Sequence, residues 1–453
     1  MAAGQGTRMH SALPKVLHPL AKRPLLQYVI DAANSIAPSQ VIMVCGYKAD
    51  LVKETFSHLA IDWVMQEQQS GTGDAVRCAL PQLCNADRVL VLCGDVPLIK
   101  AQTLQRLLFN TPSDALGLLT VAVTDPYGFG RIIRNEAGCV IKIVEEKDAT
   151  EAQREIKEIN PGIYLIPTNK LPGLLAKIST NNVQKELYLT DIIALAVQDG
   201  ITIHTEAVLQ AEEVMGINTR NQLAALERYY QKQQAEKFMS QGVTILDPNR
   251  IDIRGNVKIA ADVTIDVNVI LEGAVTIESG VVLGPNVLIK DSYISAGTEV
   301  LANSVIDTAR VGANCQIGPF ARIRPTTVLQ DKVKIGNFVE VKNSVVGVAS
   351  KANHLSYIGD ADIGAQVNVG AGVITCNYDG VNKHKTFIAD NVSIGADVQL
   401  IAPITVGKGA TIAAGTTVMK DVPEQVLVLN SKQQQHLAGW QRPINIIKET
   451  TIG

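Results

Sequence analysis

The hydrophobic pattern divides the chain into two parts with different periods. In the first part, short apolar runs at residues 41–44, 89–92 and 116–121 alternate with helix-like stretches such as 25–33. Such runs predict strands that are buried on both faces, and their alternation with helices is typical of a parallel sheet covered by helices. We therefore predict an α/β domain over residues 1–218.

A longer helical pattern, residues 219–242, follows this domain. Asn218 or Thr219 can cap its start, and Leu226 and Phe238 are candidates for one apolar stripe. We predict a linker helix in this segment.

In the second part, an aliphatic side chain recurs at every sixth position, in runs that begin at Val257, Val305 and Ile388. Three such hexads form one triangular coil, and stacked coils bury the repeated side chains in a continuous column. Residues 243–453 are therefore predicted to form a parallel β-helix.

The six-residue period breaks at residues 342–362 and 376–387. A solenoid accommodates extra residues as loops that leave one face, and such loops often carry function. His354 lies in the first break. An imidazole can take a proton from an amine near neutral pH, so His354 is a candidate general base; the alternative is a structural histidine.

Composition excludes several classes of function. The net charge is −3 with acidic and basic residues interspersed, so we expect no nucleic-acid partner. No apolar run approaches the roughly 20 residues that span a bilayer, and the first residues lack a signal-peptide pattern. We expect a cytoplasmic protein with no membrane partner. Seven cysteines, Cys84 among them, show no C-x-x-C pair and predict reduced thiols rather than structural zinc.

The chain opens with a glycine-rich loop. Gly4 and Gly6 let the backbone approach an anion closely. Arg8 can hold an oxyanion with two parallel hydrogen bonds, and Lys15 adds a mobile charge. This combination predicts a triphosphate site. Such a loop normally follows a buried strand, and nothing precedes Met1 in this sequence, so we expect the first strand to be missing and nucleotidyl transfer to be weak.

A carboxylate follows the strand predicted at residues 89–92, in the sequence Cys93-Gly94-Asp95. Open α/β sheets bind ligands at this edge, and Mg²⁺ bound to a triphosphate needs only one or two protein ligands. Asp95 is therefore a candidate metal ligand. The alternative is that it caps the next helix.

Three polar segments have two interpretations each. Residues 66–72 offer amide and hydroxyl groups that could contact a base edge or form a polar turn. Residues 128–131 and 145–147 could line a sugar pocket or form hairpin surfaces. The residues alone leave these alternatives open.

Together, the motifs resemble the family of bifunctional N-acetylglucosamine-1-phosphate uridylyltransferases and glucosamine-1-phosphate acetyltransferases, along essentially the whole chain. The resemblance implies a Rossmann-like nucleotidyltransferase domain followed by a left-handed parallel β-helix. It implies acetyl transfer from acetyl-CoA to glucosamine 1-phosphate. It then implies Mg²⁺-dependent uridylyl transfer from UTP to N-acetylglucosamine 1-phosphate, with release of pyrophosphate. It also implies a homotrimer.

The resemblance assigns residues of the first domain to the nucleotide, the metal and the sugar. The residues that would bind the uridine end are Met1, Ala2, Ala3, Gly4, Gln66, Gly71 and Thr72. Arg8 and Lys15 would bind the phosphates, and Asp95 and Asn218 would bind Mg²⁺, with Cys93 and Gly94 beside them. The residues that would bind N-acetylglucosamine are Gly130, Glu145 and Asn160.

The resemblance assigns a second site to the β-helix, with His354 as the base. The residues that would bind glucosamine 1-phosphate are Arg324, Lys342, Tyr357 and Asn368. Those that would bind acetyl-CoA are Ala371, Asn377, Tyr378, Ala396, Ala414 and Ser431.

The sequence differs from the usual family pattern at four positions in or beside the two predicted sites. Cys93 stands for Tyr, Asp74 for His, Pro161 for Thr, and Ser431, with Lys432 beside it, for Arg. We expect Lys432 to substitute in part for the arginine as a point charge. Two alternatives remain open: a nucleotidyltransferase with a non-catalytic β-helix, and a regulatory subunit with a degenerate site.

Overall fold

The computed structural model describes residues 1–83, 86–431 and 433–442, so Cys84 and Lys432 lie outside the described residues. The chain forms two compact units, the first from residues 1–241 and 247–257 and the second from residues 242–246 and 258–453.

The first unit contains most of the helices. These are α1 (Leu25–Asn34), α2 (Ala49–Thr55), α3 (Thr72–Ala79), α4 (Ala101–Asn110), α5 (Glu151–Arg154), α6 (Leu171–Lys177), α7 (Asp191–Gln198) and α8 (Arg220–Ser240), with short 3₁₀ turns at Thr7–Met9, Lys15–Leu17, Leu80–Gln82 and Ala211–Glu213. Its strands are β1 (Pro19–Leu20), β2 (Arg23–Pro24), β3 (Ile42–Cys45), β4 (Asp62–Met65), β5 (Arg88–Val91), β6 (Leu116–Ala122), β7 (Gly130–Arg134), β8 (Val140–Val144), β9 (Glu158–Asn160), β10 (Tyr164–Pro167) and β11 (Ile203–Ala207).

The main sheet of this unit has the strand order β5-β10-β6-β9-β7-β8, with β11 also paired to β6. The strands expected at 89–92 and 116–121 are present as β5 and β6, but a wholly parallel sheet is a wrong prediction. β11 runs parallel to β6, whereas β10 runs antiparallel to both β5 and β6. The reason is that β10 is buried along its whole length, and burial on both faces produces the same apolar run in either direction.

An apolar cleft of about 400 Å³ separates β3 from β5. β3 pairs with β4 in a separate two-stranded parallel sheet, and the side chains of Leu26, Val44 and Val91 are among those that line the cleft. Near the carboxyl ends of β3 and β5, the N–H of Ala2 donates to the carbonyl of Val44 at 2.8 Å, and the amino group of Met1 donates to the carbonyl of Leu92 at 2.7 Å. The backbone of the first two residues thus connects the ends of β3 and β5 across the cleft.

Helix α8 covers the segment predicted to be helical, and it belongs to the first compact unit. Thr219 is its N-cap, and the Thr219 hydroxyl accepts from the N–H of Gln222 in a reciprocal capping box. Leu226 and Phe238 are buried, as expected for the apolar stripe. Gln231 is also buried, and its side chain bonds both backbone groups of Ile253 at 2.7 and 3.0 Å, which satisfies a polar group inside the first unit.

The remaining strands are short and follow one another closely. They are β12 (Thr244–Ile245), β13 (Ile251–Ile259), β14 (Thr264–Ile265), β15 (Val269–Ile277), β16 (Val282–Leu283), β17 (Leu288–Lys290), β18 (Tyr293–Ile294), β19 (Glu299–Val300), β20 (Val305–Asp307), β21 (Arg310–Val311), β22 (Gln316–Ile317), β23 (Arg322–Ile323), β24 (Val328–Leu329), β25 (Lys334–Asn337), β26 (Glu340–Lys342), β27 (Val345–Val346), β28 (Lys351–His354), β29 (Tyr357–Gly359), β30 (Ala361–Ile363), β31 (Asn368–Val369), β32 (Ile374–Cys376), β33 (Thr386–Ile388), β34 (Ser393–Ile394), β35 (Gln399–Ile401), β36 (Ile404–Val406), β37 (Thr411–Ile412), β38 (Thr417–Val418) and β39 (Leu427–Val428).

These strands pair in parallel from one coil to the next, in three columns. Examples are β19-β22-β25-β28, β20-β23-β26-β29 and β21-β24-β27-β30. The aliphatic side chains of the hexads point inward, and those of Val263, Leu283, Ile317 and Ile394 are fully buried. The prediction of a triangular parallel β-helix is confirmed, and its core is a column of stacked aliphatic side chains.

The coils are not all three complete hexads. Most pairs join residues 17 or 18 positions apart, such as Leu288 with Val305 and Gln316 with Lys334. A 17-residue coil moves the inward position by one, which is why Ile306 is buried and Val305 is only half-buried. The start of the second run at Val305 is therefore wrong by one residue.

Only one of the two predicted loops leaves the solenoid. Within residues 342–362 the coil continues through β27, β28 and β29 with 17-residue spacing, so a loop in that segment is a wrong prediction and His354 lies on a strand. A single missing residue breaks the period without adding a loop. In contrast, Ala361 pairs with Thr386, 25 positions on, and the second interruption is a true insertion.

None of the described helices is long and apolar enough to cross a membrane.

Candidate active sites

Three polar side chains of the first unit meet at one edge of the sheet. The ammonium of Lys15 lies 2.5 Å from Oδ2 of Asp95 and donates to Oδ1 of Asn218 at 3.0 Å. Lys15 and Asp95 are mostly buried, with side-chain exposures of 14% and 18%. One cation thus lies where a carboxylate oxygen and an amide oxygen converge.

Local structure explains why these groups meet. Asp95 follows β5, Asn218 precedes the N-cap of α8, and Lys15 begins a 3₁₀ turn. Gly6 has a φ of 66°, and a Cβ on it would lie 2.7 Å from Cβ of Lys15, so only glycine allows the loop to pass this close. The alternative that Asp95 caps the next helix is wrong, because Lys100 is the N-cap of α4.

The Asp95 and Asn218 oxygens fit a hard cation. Mg²⁺ prefers carboxylate and carbonyl oxygens and keeps most of its coordination sphere for phosphate and water. The position of the Lys15 ammonium shows that both oxygens already face one positive charge. Among the described residues, no group of three His, Cys, Asp or Glu side chains could hold a metal ion.

The residues expected to hold the uridine lie along the same edge. Ala2 pairs with Cys45 at the end of β3, and the N–H of Gln66 donates to the carbonyl of Cys45 at 2.8 Å. Gly71 is the N-cap of α3, and the hydroxyl of Thr72 accepts from the N–H of Leu189 at 3.0 Å. The loop at Met1–Gly4 and the segment 66–72 therefore face a common region.

Gly130, Glu145 and Asn160 also come together. Gly130 pairs with Asn160, and a Cβ on Gly130 would lie 3.6 Å from Oε2 of Glu145. Burial raises the pKa of Glu145, and the hydroxyl of Thr190, which donates to Oε1 at 3.0 Å, opposes this shift. The three residues form a partly buried polar pocket wall with an acceptor that the protein only partly satisfies.

Cys93 and Pro161 lie beside this wall. Burial raises the pKa of the Cys93 thiol to about 11, so the thiol stays neutral at physiological pH. It donates to the carbonyl of Gly162 at 3.4 Å, and the N–H of Gly162 donates to Oδ1 of Asn160 at 2.9 Å. Two of the departures from the family pattern thus lie around Asn160. Arg8 is exposed and does not join the Lys15 cluster.

The second unit holds a separate cluster of charged groups. The ammonium of Lys342 lies 3.6 Å from Oδ2 of Asp360. Asn343 donates to Oδ1 of Asp360 at 2.5 Å, and Asn377 donates to its other oxygen. Burial alone would raise the pKa of Asp360, but the hydrogen bonds from Asn343 and Asn377 and the charge of Lys342 lower it.

Arg324, Tyr357 and Lys383 border this cluster. Arg324 donates to Oε1 of Glu340 at 2.7 Å. A Cβ on Gly359 would clash with the Tyr357 hydroxyl, so the glycine allows the Tyr357 side chain to lie against the backbone at residue 359. A neutral Lys383 nitrogen can accept a hydrogen bond from the Lys342 ammonium, which raises the pKa of Lys342 and lowers that of Lys383; the charge of Lys342 lowers the pKa of Lys383 further.

Sequence reasoning missed Asp360 and Lys383. The position of Asp360 could have been predicted, because it follows Lys342 by 18 residues, about the length of one coil, and so lies next to it on the following coil. Lys383 belongs to the inserted loop, where no period predicts its position.

His354 lies at the end of β28, three residues before Tyr357. Its Nδ1 is 3.2 Å from Oδ1 of Asn337, its pairing partner one coil below. With the proton on Nδ1, this contact leaves Nε2 free to accept a proton. The imidazole is exposed, as a base that meets a substrate must be.

Three alanines among the residues expected to hold acetyl-CoA occupy equivalent positions in successive coils. The N–H of Asp397 donates to the carbonyl of Ala371, and the N–H of Gly415 to that of Ala396, which places Ala371, Ala396 and Ala414 in a column of small side chains. Asn368 lies in the strand column of His354. Tyr378 and Ser431 are exposed, and the hydroxyl of Tyr378 donates to the carbonyl of Gly380 at 2.5 Å.

Family models match three segments of the chain. Residues 1–243 match a MobA-like NTP transferase domain, residues 253–354 match a GMPPB C-terminal domain, and residues 385–420 match the bacterial transferase hexapeptide, with six repeats.

Whole proteins match the chain over nearly its full length. A protein named "Bifunctional protein GlmU" from Paraburkholderia phymatum is 52% identical over 443 residues, which cover 98% of either chain. One of the same name from Acinetobacter baumannii (strain AYE) is 52% identical over 99% of this chain and 98% of its own. A third, from Nitrosospira multiformis, is 50% identical over 98% of this chain and 97% of its own.

Proposed function

The chain belongs to the family of bifunctional GlmU proteins, and we propose that it makes UDP-N-acetylglucosamine in two steps. The second unit acetylates glucosamine 1-phosphate with acetyl-CoA, and the first unit couples the product to UTP and releases pyrophosphate. The observation that carries this proposal is that each unit has its own cluster of groups suited to phosphate or a metal, around Lys15 and around Lys342. We assign the activities to residues 1–218 and 243–453, joined by residues 219–242.

In uridylyl transfer, the phosphate oxygen of N-acetylglucosamine 1-phosphate attacks the α-phosphorus of UTP, and pyrophosphate leaves. Asp95 and Asn218 would hold Mg²⁺, which when bound neutralises charge on the phosphates. Lys15 donates to both of these oxygens in this structure, and with Mg²⁺ bound there it would instead bind a phosphate, together with Arg8. No covalent intermediate on the protein is needed, and the rate comes from positioning and charge stabilisation.

The remaining residues of the first site orient the two substrates. Ala2, Ala3 and Gly4 at the loop, with Gln66 across the edge, would bind the uridine. Glu145 and Asn160 would bind hydroxyl and amide groups of the sugar, with Gly130 giving the ring room. The thiol of Cys93 is neutral, so it would fill space beside Asp95 without adding a charge.

In acetyl transfer, Nε2 of His354 takes a proton from the amino group of glucosamine 1-phosphate as the nitrogen attacks the thioester carbonyl. The C–S bond then breaks and CoA leaves as the thiol after it takes up a proton. Arg324, Lys342 and Tyr357 would bind the sugar phosphate, and Lys383 adds a further donor there. Asn377 and Tyr378 would bind acetyl-CoA beside the small side chains of Ala371, Ala396 and Ala414.

The alternatives of a single-activity nucleotidyltransferase and of a regulatory subunit leave the second cluster without a role. We also propose a homotrimer in the cytoplasm. Three faces of a triangular prism allow closed cyclic assembly, and sites between neighbouring copies would explain why His354 and Tyr378 are exposed.

Two assays of the purified chain test the proposal. Thiol release from acetyl-CoA should depend on glucosamine 1-phosphate, and pyrophosphate release should depend on UTP, N-acetylglucosamine 1-phosphate and Mg²⁺. Thiol release without any requirement for the amino sugar would contradict the acetyltransferase assignment.

A further inference from the structure

Gln66 and Asp74 form a buried polar pair at the sheet edge where the proposed function places the uracil. Their exposed fractions are 4% and 7%. Gln66 follows β4, and Asp74 lies in the first turn of α3. Nε2 of Gln66 donates to Oδ2 of Asp74 at 2.9 Å and to the carbonyl of Gly71 at 3.1 Å.

The chemistry of these two partners determines which way the Gln66 amide points. An ionised carboxylate and a backbone carbonyl only accept hydrogen bonds. If the amide turned over, its oxygen would face two other oxygens and both bonds would become repulsive. Arg77 donates to the other Asp74 oxygen at 2.6 Å, so the carboxyl group accepts hydrogen bonds on both of its oxygens.

As a result, both amide protons of Gln66 are used inside the protein, and the group left for a ligand is Oε1, an acceptor. The two pyrimidine bases differ at the atom such an acceptor would meet. Uracil carries an N–H at ring position 3, whereas cytosine has a lone pair there. A buried acceptor that faces a lone pair is repelled and left unpaired, which is how polar sites reject near-isosteric ligands.

We propose that Asp74 is a specificity-determining residue: by holding the amide nitrogen of Gln66, it leaves only an acceptor for the base and so selects uridine over cytidine nucleotides. Asp74 does not touch the base and acts through Gln66. This inference rests on the proposed function, which places the uridine at Gln66.

The test measures dissociation constants of UTP and CTP by calorimetry, with Mg²⁺, for the wild type and variants. Asp74→Asn keeps the size but offers an amide that can donate or accept, so the Gln66 amide can turn. The ratio of CTP to UTP dissociation constants should fall about tenfold, the size of one mispaired hydrogen bond of about 1.4 kcal/mol. Arg77→Gln keeps the Asp74 acceptor, so this control should retain the wild-type ratio.

Gln66→Leu separates the failure of this inference from the failure of the proposed function. It should remove most of the discrimination between UTP and CTP. If the ratio survives in Gln66→Leu, the uridine does not lie at Gln66 and the proposed base position is wrong. If Gln66→Leu loses the ratio and a folded Asp74→Asn keeps it, Asp74 has no part in selectivity.

A measurement on the wild type covers the case in which Asp74→Asn does not fold. With ¹⁵N-glutamine labelling, the side-chain N–H₂ signal of Gln66 should show slow hydrogen exchange and little change on adding UDP, since both protons face protein oxygens. Rapid exchange before UDP is added, or a large shift of these protons on binding, would show that the nitrogen faces the base and would overturn the inference.

Discussion

The two proposed sites differ in how the chain brings their polar groups together. Lys15 and Asn218 are 203 residues apart and meet because separate elements end at one sheet edge. In contrast, Asn343, Asp360 and Asn377 are each 17 residues apart, one coil on from the last. The comparison teaches that a solenoid assembles a site from neighbouring steps of a repeat, whereas the sheet needs its whole tertiary structure to do so.

Replacing the proposed base should separate the two sites most strongly. We expect His354→Ala to lower acetyl transfer about 10³-fold, the usual size of a lost general base, and to leave pyrophosphate release unchanged. Both activities are measured on the same preparation, with His58→Ala, an exposed histidine of the first unit, as the control. An equal loss of both activities would show that the units do not act separately.

Asp95→Asn makes the reverse test. It removes the charge that faces the Lys15 ammonium but keeps the size of the side chain. We expect Mg²⁺-dependent pyrophosphate release to fall about 10²-fold, as when one charge-stabilising group is lost from an active site, while thiol release continues at the wild-type rate. The exposed Asp114→Asn is the matched control. Unchanged pyrophosphate release would remove Asp95 from the metal site.

The destabilising effect of a core substitution should extend over different distances in the two units. Leu118→Ala and Leu283→Ala each empty a fully buried position and should cost about 2–5 kcal/mol of unfolding free energy. Leu283→Ala should speed hydrogen exchange mainly in the coils next to it, because each repeat contacts only its neighbours. Leu118→Ala should speed exchange across the whole sheet of the first unit. Uniform acceleration throughout the β-helix would contradict this difference.

The smallest expected effect is a pH dependence from Glu145. Burial raises its pKa in the folded protein, so its neutral form is favoured by folding. The resulting stability is present below the unfolded pKa of about 4.3 and is lost as pH rises through the raised folded value. Glu145→Gln imitates the neutral form. Its melting temperature should equal that of the wild type near pH 4 and exceed it slightly at pH 7, by under about 1 kcal/mol in stability.

A gap of the same size at pH 4 and pH 7 would show that Glu145 acts through packing rather than through its charge.

Periodicity predicted most of the β-helix because the repeat is encoded locally. Leu283 and Ile394 are buried where the hexads place them. Coil length was not predictable in the same way: a segment one residue short at 342–362 looks like an interruption in the sequence, although its backbone pairing is continuous. The direction of β10 was hidden for a related reason, since complete burial removes the alternation that distinguishes the two faces of a strand.

The first site was predictable in part. Gly6, Lys15 and Asp95 stand in short motifs, and their chemistry indicates phosphate and metal. The contact between Asp74 and Gln66 depends on how α3 packs against the end of β4, which no local pattern records. Lys383 was hidden because an inserted loop has no register from which its neighbours follow.

The apolar cleft between β3 and β5 makes the first unit compressible. Hydrostatic pressure favours the state with the smaller volume, and packing around an apolar cleft of about 400 Å³ is less complete than in a filled core. Inside the coils, by contrast, the stacked aliphatic side chains are fully buried, as at Leu283 and Ile317. As pressure rises, the first unit should therefore lose its structure before the β-helix does.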